Sequence, residues 1–130
     1  MTRTAGAGPA FTRIAKKAQP LWLTDFYDNP TEAASAYVAR AAAAQKTPLL
    51  VVYNIPDRDC GMYSSQDDQI TDRHYRRYVD NVAQALDGSK SIVVLEPDAV
   101  AFIGSPTCAG VGDRLTLLRY AARTLTMAGA

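Results

Sequence analysis

The chain has 130 residues, enough for one domain and about half of the roughly 250 residues of a complete (β/α) barrel. Hydrophobic residues make up 48% and charged residues 21%, and the formal net charge is +1. This near-neutral charge argues against nucleic acid or an anionic membrane as a partner. No apolar stretch approaches the ~20 residues that a membrane span needs.

Residues 1–18 predict a flexible lead-in that is rich in small side chains. They carry basic residues but no continuous apolar segment, so they lack the pattern of a secretion signal. A single domain is therefore expected over residues 19–130.

The first strand and helix are short and well marked. Residues 20–23 are apolar and predict a strand. The segment Asn29-Pro30-Thr31-Glu32 predicts a helix start, with Asn29 as the N-cap, Pro30 at the first helical position and Glu32 at N3. The helix is expected to reach about Gln45. The apolar run 49–53 then predicts the second strand.

Two more helices flank a third strand. A helix capped by Thr71 or Asp72 is predicted to end at the Asp-Gly pair 87–88, and residues 91–95 predict the third strand. A last helix is expected over about 113–127. Its apolar face is predicted to consist of Leu115, Leu118, Ala122 and Leu125.

This order, strand then helix three times, is typical of an α/β fold with a parallel sheet and right-handed crossovers. The third strand is strongly apolar, so a covered neighbour is expected on each of its sides. Three units leave the sheet with open edges. The pattern therefore indicates part of a barrel or of a doubly wound sheet.

Two acidic segments follow or close the second and third strands. They are Tyr53-Asn54-Ile55-Pro56-Asp57-Arg58-Asp59-Cys60 and Leu95-Glu96-Pro97-Asp98. Asp59 and Asp98 should lie just past the carboxyl ends of their strands, where α/β folds place their chemistry. Two such carboxylates suggest acid catalysis, and cleavage of a glycosidic bond is the familiar reaction. The alternative is two solvated loop carboxylates, one of them paired with Arg58.

Several other side chains admit two readings from the sequence. Trp22 and Tyr53 could be flat platforms for a sugar ring or buried core aromatics. His74 is the only histidine and has no second ligand at metal spacing, so a surface position is expected. Cys60 and Cys108 could be buried thiols or, since each follows a strand end, a disulfide.

Taken together, the chain resembles glycoside hydrolase family 6, the cellulases that include endoglucanases and cellobiohydrolases. The resemblance extends from about Gln19 to about Leu125. The Asp-Arg-Asp-Cys and Leu-Glu-Pro-Asp segments are specific in combination. Shorter matches occur in the expected order: Trp22-Leu23, Ser64-Ser65, Tyr78-Val79-Asp80-Asn81, Cys108 and Leu118-Arg119-Tyr120-Ala121.

The resemblance implies a role for each matching residue. Asp98 matches the general acid that protonates the leaving oxygen, and Asp59 the second aspartate that helps to keep that acid protonated. Tyr53 matches a tyrosine beneath the sugar ring at the cleavage point. Ser65 matches a serine that helps to hold the catalytic water, and Trp22 a platform on the non-reducing side.

The resemblance also implies the setting of the site. Cys60 and Cys108 match a disulfide pair in a secreted, inverting enzyme that uses no metal and no organic cofactor. The fold implied is a distorted TIM-like barrel, of which this chain would supply three parallel strand–helix units. The family's Asp-Ala-Gly-His segment and its candidate base come later than these units. The loop at Gln66-Asp67-Asp68 departs from the family's glycine-rich loop.

The expected function is that of a truncated inverting endo-β-1,4-glucanase, inactive alone, whose partner is β-1,4-glucan or a cello-oligosaccharide. One alternative is a split cellulase in which a second chain carries the rest of the barrel. Another is a glucan-binding remnant without catalysis. A third is a product without a stable fold, because open strand edges favour aggregation.

Overall fold

The computed structural model describes residues 12–13, 17–27, 29–60, 70–105 and 114–130. Strand and helix alternate three times, as the sequence predicted. The elements are β1 (Leu21–Leu23), α1 (Thr31–Ala43), β2 (Leu49–Val52), α2 (Asp72–Leu86), β3 (Ile92–Leu95) and α3 (Arg114–Met127). Within the described ranges, no helix is both long and apolar enough to cross a membrane.

The three strands form one parallel sheet in the order β1-β2-β3. The register aligns Leu23 with Val52, and Val52 with Leu95. Because side chains alternate along a strand, these residues share one face. That face packs against all three helices in a single core, whose largest fully buried aromatic side chains are Tyr75 and Tyr78 of α2.

The opposite face of the sheet keeps apolar side chains in contact with solvent. Trp22 aligns with Val51, and Val51 with Val94. Trp22 is 51% exposed, Val94 41% and Ile92 56%. Within the described residues β3 pairs with β2 alone, so the covered neighbour expected on both sides of β3 is present on one side only.

The start of α1 lies one residue later than predicted, whereas α2 follows its predicted signals. Pro30, and not Asn29, is the N-cap residue of α1, which ends at Ala43, because the Asn29 side chain accepts a hydrogen bond from the Thr31 N–H at 3.0 Å in a turn that precedes the helix. Thr71 caps α2 by accepting from the His74 N–H at 3.2 Å. Asp87, in the left-handed conformation with φ 46°, ends that helix.

The predicted apolar face of α3 is wrong at Leu115 and Ala122, whereas Leu125 is buried and Leu118 packs against the core as predicted. Leu115 is 48% exposed, and Ala122 is exposed as well. The physical reason is the first residue of the helix: the Arg114 side chain turns inward to hydrogen-bond with loop carbonyls, which fixes the rotation of the helix. The buried positions are Arg114, Leu117, Ala121 and Leu125.

Candidate active site

The loops that carry both predicted acids begin at the same edge of the sheet. Val52 and Leu95 are the last paired residues of β2 and β3, which run parallel. The backbone N–H of Glu96 still donates to the Val52 carbonyl at 2.8 Å, so the two chains separate only after this point. Asp59 and Asp98 lie in the two loops that follow.

Asp98 is solvent-exposed but held in place from two directions. The Tyr53 hydroxyl donates to its Oδ2 at 2.9 Å. The backbone around it closes a turn, in which the Ala99 N–H donates to the Glu96 carbonyl at 2.9 Å. An exposed carboxyl group in a fixed position can meet an incoming oxygen atom and exchange a proton with it.

Asp59 has the opposite environment, since its side chain is only 6% exposed. It sits in a tight turn in which the Cys60 N–H donates to the Asp57 carbonyl at 3.0 Å. Asp57 and Cys60 both adopt left-handed backbone angles, with φ of 50° and 58°. The turn therefore directs Asp59 into the protein while Asp57 faces solvent.

Arg58 lies buried beside Tyr53, with its guanidinium carbon 5.3 Å from the centroid of the Tyr53 ring. It forms an ion pair with Asp25 of the loop after β1, at 3.0 Å. The sequence did not single out Asp25 as a partner of Arg58. The pair ties the β1 and β2 strand ends together beneath the aromatic ring.

Trp22 is not a core residue, so the buried reading of this side chain is wrong and the platform role stays a prediction. Its half-exposed ring lies on the open face of the sheet and meets Tyr53 edge-on, with centroids 6.2 Å apart and an interplanar angle of 85°. Tyr53 itself is largely buried. The Trp22 ring therefore presents an apolar surface to solvent beside Tyr53, whose hydroxyl contacts the exposed Asp98.

Glu96 is a buried acid that the sequence analysis did not single out. It is 2% exposed and adopts a left-handed backbone with φ 45°. Its two carboxylate oxygens accept from the Asn54 N–H at 2.9 and 3.1 Å. Burial raises the pKa of Glu96 to about 7, against the opposing effect of backbone N–H groups of Asn54 and Ile55 and of nearby Tyr75 and Arg58.

Arg114 is the second residue that the sequence analysis missed. It is 3% exposed and its guanidinium bridges the two strand-end loops. One nitrogen donates to the Ala99 carbonyl at 3.3 Å, and the other to the carbonyls of Asp57 at 2.6 Å and Pro56 at 3.3 Å. Burial lowers the pKa of Arg114, an effect that the charges of Asp57 and Glu96 oppose. The Arg114 side chain thus connects the loop of Asp59 to the loop of Asp98.

Two predicted site residues, Ser65 and Cys108, lie outside the described residues, so the Cys60–Cys108 pairing remains a prediction. His74 lies in the first turn of α2, remote in sequence from the strand-end loops. In the part of the chain that the structure describes, no group of three or more His, Cys, Asp or Glu is placed to hold a metal ion.

The family model described as Glycosyl hydrolases family 6 matches residues 3–130. The chain belongs to glycoside hydrolase family 6. It is 46% identical to Endoglucanase A of Cellulomonas fimi over 120 residues, which is 91% of this chain and 26% of that protein. It is 37% identical over 91 residues to Endoglucanase A of Thermobispora bispora, covering 68% of this chain and 19% of that protein.

The family 6 fold is also shared with a solved structure. The endoglucanase Cel6 of Mycobacterium tuberculosis, in complex with methyl-cellobiosyl-4-deoxy-4-thio-β-D-cellobioside, superposes with a TM-score of 0.78 at 36% identity. The match covers 90% of this chain and 40% of that one. This family 6 chain therefore spans well under half the length of the relatives it matches.

Proposed function

We propose that this chain supplies the general-acid half of an inverting endo-β-1,4-glucanase site. The observation that carries the proposal is the placement of Asp98: exposed, fixed by the Tyr53 hydroxyl, and set in a loop that Arg114 ties to the loop of Asp59. Membership in family 6, and relatives named endoglucanase, support this chemistry.

In the proposed reaction, Asp98 donates its proton to the leaving glycosidic oxygen. Asp59 is the second aspartate of the pair, on the loop that Arg114 joins to the loop of Asp98. Tyr53 supports the sugar ring at the cleavage point, and Ser65 helps to hold the attacking water. Trp22 carries a glucose unit on the non-reducing side, where its exposed ring face covers the C–H face of the sugar.

The three strand–helix units form part of a distorted TIM-like barrel in this proposal. Inverting hydrolysis needs a second carboxylate about 6.5–9.5 Å from the acid, to activate water. We place that group outside the three strand–helix units of this chain. We further propose that the domain comprises residues 19–130, that the protein is secreted, and that Cys60 pairs with Cys108. Intact mass before and after thiol alkylation, with and without reductant, tests the pairing.

A chimera tests the acid role directly. Residues 19–130 replace the matching segment of the Cellulomonas fimi endoglucanase, to which the chain is 46% identical. The chimera is expected to hydrolyse a soluble cellulose derivative, and Asp98→Asn to reduce kcat by about 10²-fold or more. Asp87→Asn, the same change at the exposed end of α2, is the control. Equal activity of the Asp98→Asn chimera and the unaltered chimera would refute the assignment.

Glucan binding without catalysis is a second candidate function, favoured by the half-exposed Trp22. Since Trp22 is the only tryptophan, its fluorescence reports on ligand binding without a label. Cellotetraose is expected to change the emission of the isolated chain. Phe26→Ala, which removes an aromatic ring that is 85% exposed, should leave the titration unchanged. An emission spectrum that stays constant up to millimolar sugar would count against this candidate.

A further inference from the structure

A single buried carboxyl group connects the two strand ends on which the proposed chemistry depends. Glu96 lies two residues before Asp98, and both of its oxygens accept from the N–H of Asn54. Asn54 directly follows Tyr53, whose hydroxyl donates to Asp98. These contacts close a ring: Glu96 side chain, Asn54 backbone, Tyr53 side chain, Asp98 side chain, and the backbone back to Glu96.

The backbone of Glu96 is part of the same arrangement. Its N–H donates to the Val52 carbonyl at 2.8 Å, and its carbonyl accepts from Ala99 at 2.9 Å. The φ of 45° is unfavourable for a residue with a side chain, and such backbone persists only where the surroundings enforce it. Here the hydrogen bonds between the Glu96 carboxylate and the Asn54 N–H hold the side chain in place, and they thereby stabilise this backbone conformation.

We propose that Glu96 is a positioning residue for Asp98, whose carboxyl group fixes the turn Glu96–Ala99 against the Tyr53–Asn54 backbone and so sets the acid beside the Tyr53 hydroxyl. This inference deepens the proposed function, since it takes Asp98 as the general acid. Glu96 itself is buried, so it acts through the backbone of the turn and not by contact with the substrate.

The groups that face Glu96 come from three elements of the fold. Tyr75 and Tyr78 of α2 lie close enough that the carboxylate raises the pKa of both phenols, second to burial itself. The Tyr75 hydroxyl is buried and makes no well-formed hydrogen bond within the described residues. Arg58, in the loop after β2, and Arg114, at the start of α3, provide the positive charges. Protonated or ionised, the Glu96 carboxyl group keeps an acceptor oxygen for the Asn54 N–H.

Two substrates separate positioning of the acid from a general structural role. Hydrolysis of a cellulose oligomer requires a proton on the leaving oxygen. An aryl cellobioside that carries a strongly acidic phenol releases the phenolate without that proton. In the chimera, Glu96→Ala is expected to lower kcat on the oligomer by about 10-fold or more with KM nearly unchanged, because a displaced acid transfers its proton poorly. Activity on the aryl substrate should stay within about twofold, and Glu96→Gln should restore most of the loss.

The full 130-residue chain gives a readout that does not depend on activity. In ¹H–¹⁵N spectra, the amides of Asn54 and Ala99 are expected to share one pH transition, and that shared transition should be absent from both amides in Glu96→Gln. Movement of Asn54 without Ala99, or equal loss on both substrates in Glu96→Ala, would overturn the inference. Failure of the acid assignment looks different, because Asp98→Asn would then leave oligomer hydrolysis intact whatever Glu96 does.

Discussion

Glu96 and Asp98 are separated by one residue and occupy opposite environments. Glu96 is 2% exposed and inserted between two strand ends, while Asp98 faces solvent with a tyrosine hydroxyl on one oxygen. Proline between them prevents the chain from continuing the strand ladder, because it has no N–H to donate. One short segment thus provides both a buried acid that fixes the backbone and an exposed acid that can react.

The buried Glu96 should impose a pH dependence on folding. Its pKa rises from the ordinary 4.5 to about 7, so the folded state binds more protons than the unfolded state between these values. The stability that this group contributes is fully present below pH 4.5 and is lost as pH rises through about 7. The free energy of unfolding of Glu96→Gln, relative to that of the wild type, should therefore rise by roughly 3 kcal/mol from about pH 4 to about pH 8.

Urea unfolding followed by Trp22 fluorescence across this pH range measures that difference. Glu32→Gln, at the only other glutamate and on the exposed first turn of α1, is the matched control. It should track the wild type at every pH. If the unfolding free energies of the wild type and Glu96→Gln differed by the same amount at every pH, burial would not be raising the pKa of Glu96.

The guanidinium of Arg114 should be irreplaceable by an ammonium group. It reaches carbonyls of both strand-end loops with two separate nitrogens, whereas lysine has one. Arg114→Lys is expected to lower the free energy of unfolding by about 1–3 kcal/mol, because buried carbonyls lose their donors. Arg123→Lys, on the exposed side of the same helix, should change it by less than about 0.5 kcal/mol. Equal effects of the two substitutions would show that bridging the loops contributes nothing.

At the scale of elements, α2 depends on its cap as well as on its core. Thr71 accepts a hydrogen bond from the His74 N–H at the exposed start of the helix. Thr71→Ala removes the acceptor and should cost about 1 kcal/mol of unfolding free energy, whereas Thr71→Ser keeps it and should cost much less. Chemical denaturation of both variants distinguishes loss of the hydroxyl from loss of the methyl group. A serine variant as unstable as the alanine variant would rule out the capping contact as the cause.

The elements also separate what periodicity can predict from what it cannot. For α2, a cap, an amphipathic pattern and an Asp-Gly stop all agree, and the structure follows them. For α3, Leu115, Leu117 and Leu118 fit two faces equally, and the tie is broken by Arg114, whose burial depends on loops far away in sequence. Helical spacing alone carries no information about that contact.

The residues of the candidate site also fall into two groups, those that the sequence can predict and those that it cannot. Asp59 and Asp98 could be found from the sequence, because an acid after an apolar strand has a predictable place at the edge of a parallel sheet. Glu96 lies in the same motif, yet charged residues are expected at the surface by default, so its burial could not be foreseen. Its partner is a backbone N–H forty-two residues earlier, a contact that exists only once β2 and β3 have paired.

At the scale of the whole molecule, the helices cover one face of the sheet and the site faces the other way. The described residues leave Trp22, Ile92 and Val94 substantially exposed on that second face. The acid, the aromatic ring and the open strand face therefore all border solvent on one side. Among the described residues this side of the sheet is an open surface, and a surface buries far less of a ligand than a cleft does.

This geometry predicts that the purified 130-residue chain has no measurable turnover on a soluble cellulose derivative. In the proposed reaction Asp98 protonates the leaving oxygen, and an inverting mechanism would also require a carboxylate about 6.5–9.5 Å away to activate water. The chain spans 40% of the matched Cel6 structure. Reducing-sugar release is the measurement, with the chimera as the positive control and its Asp98→Asn variant as the background. Turnover by the isolated chain that Asp98→Asn abolishes would mean that these residues hold a complete site.

Activity that appears only on mixing with a polypeptide carrying the remaining strands would identify a split enzyme, because the missing carboxylate would then be supplied in trans.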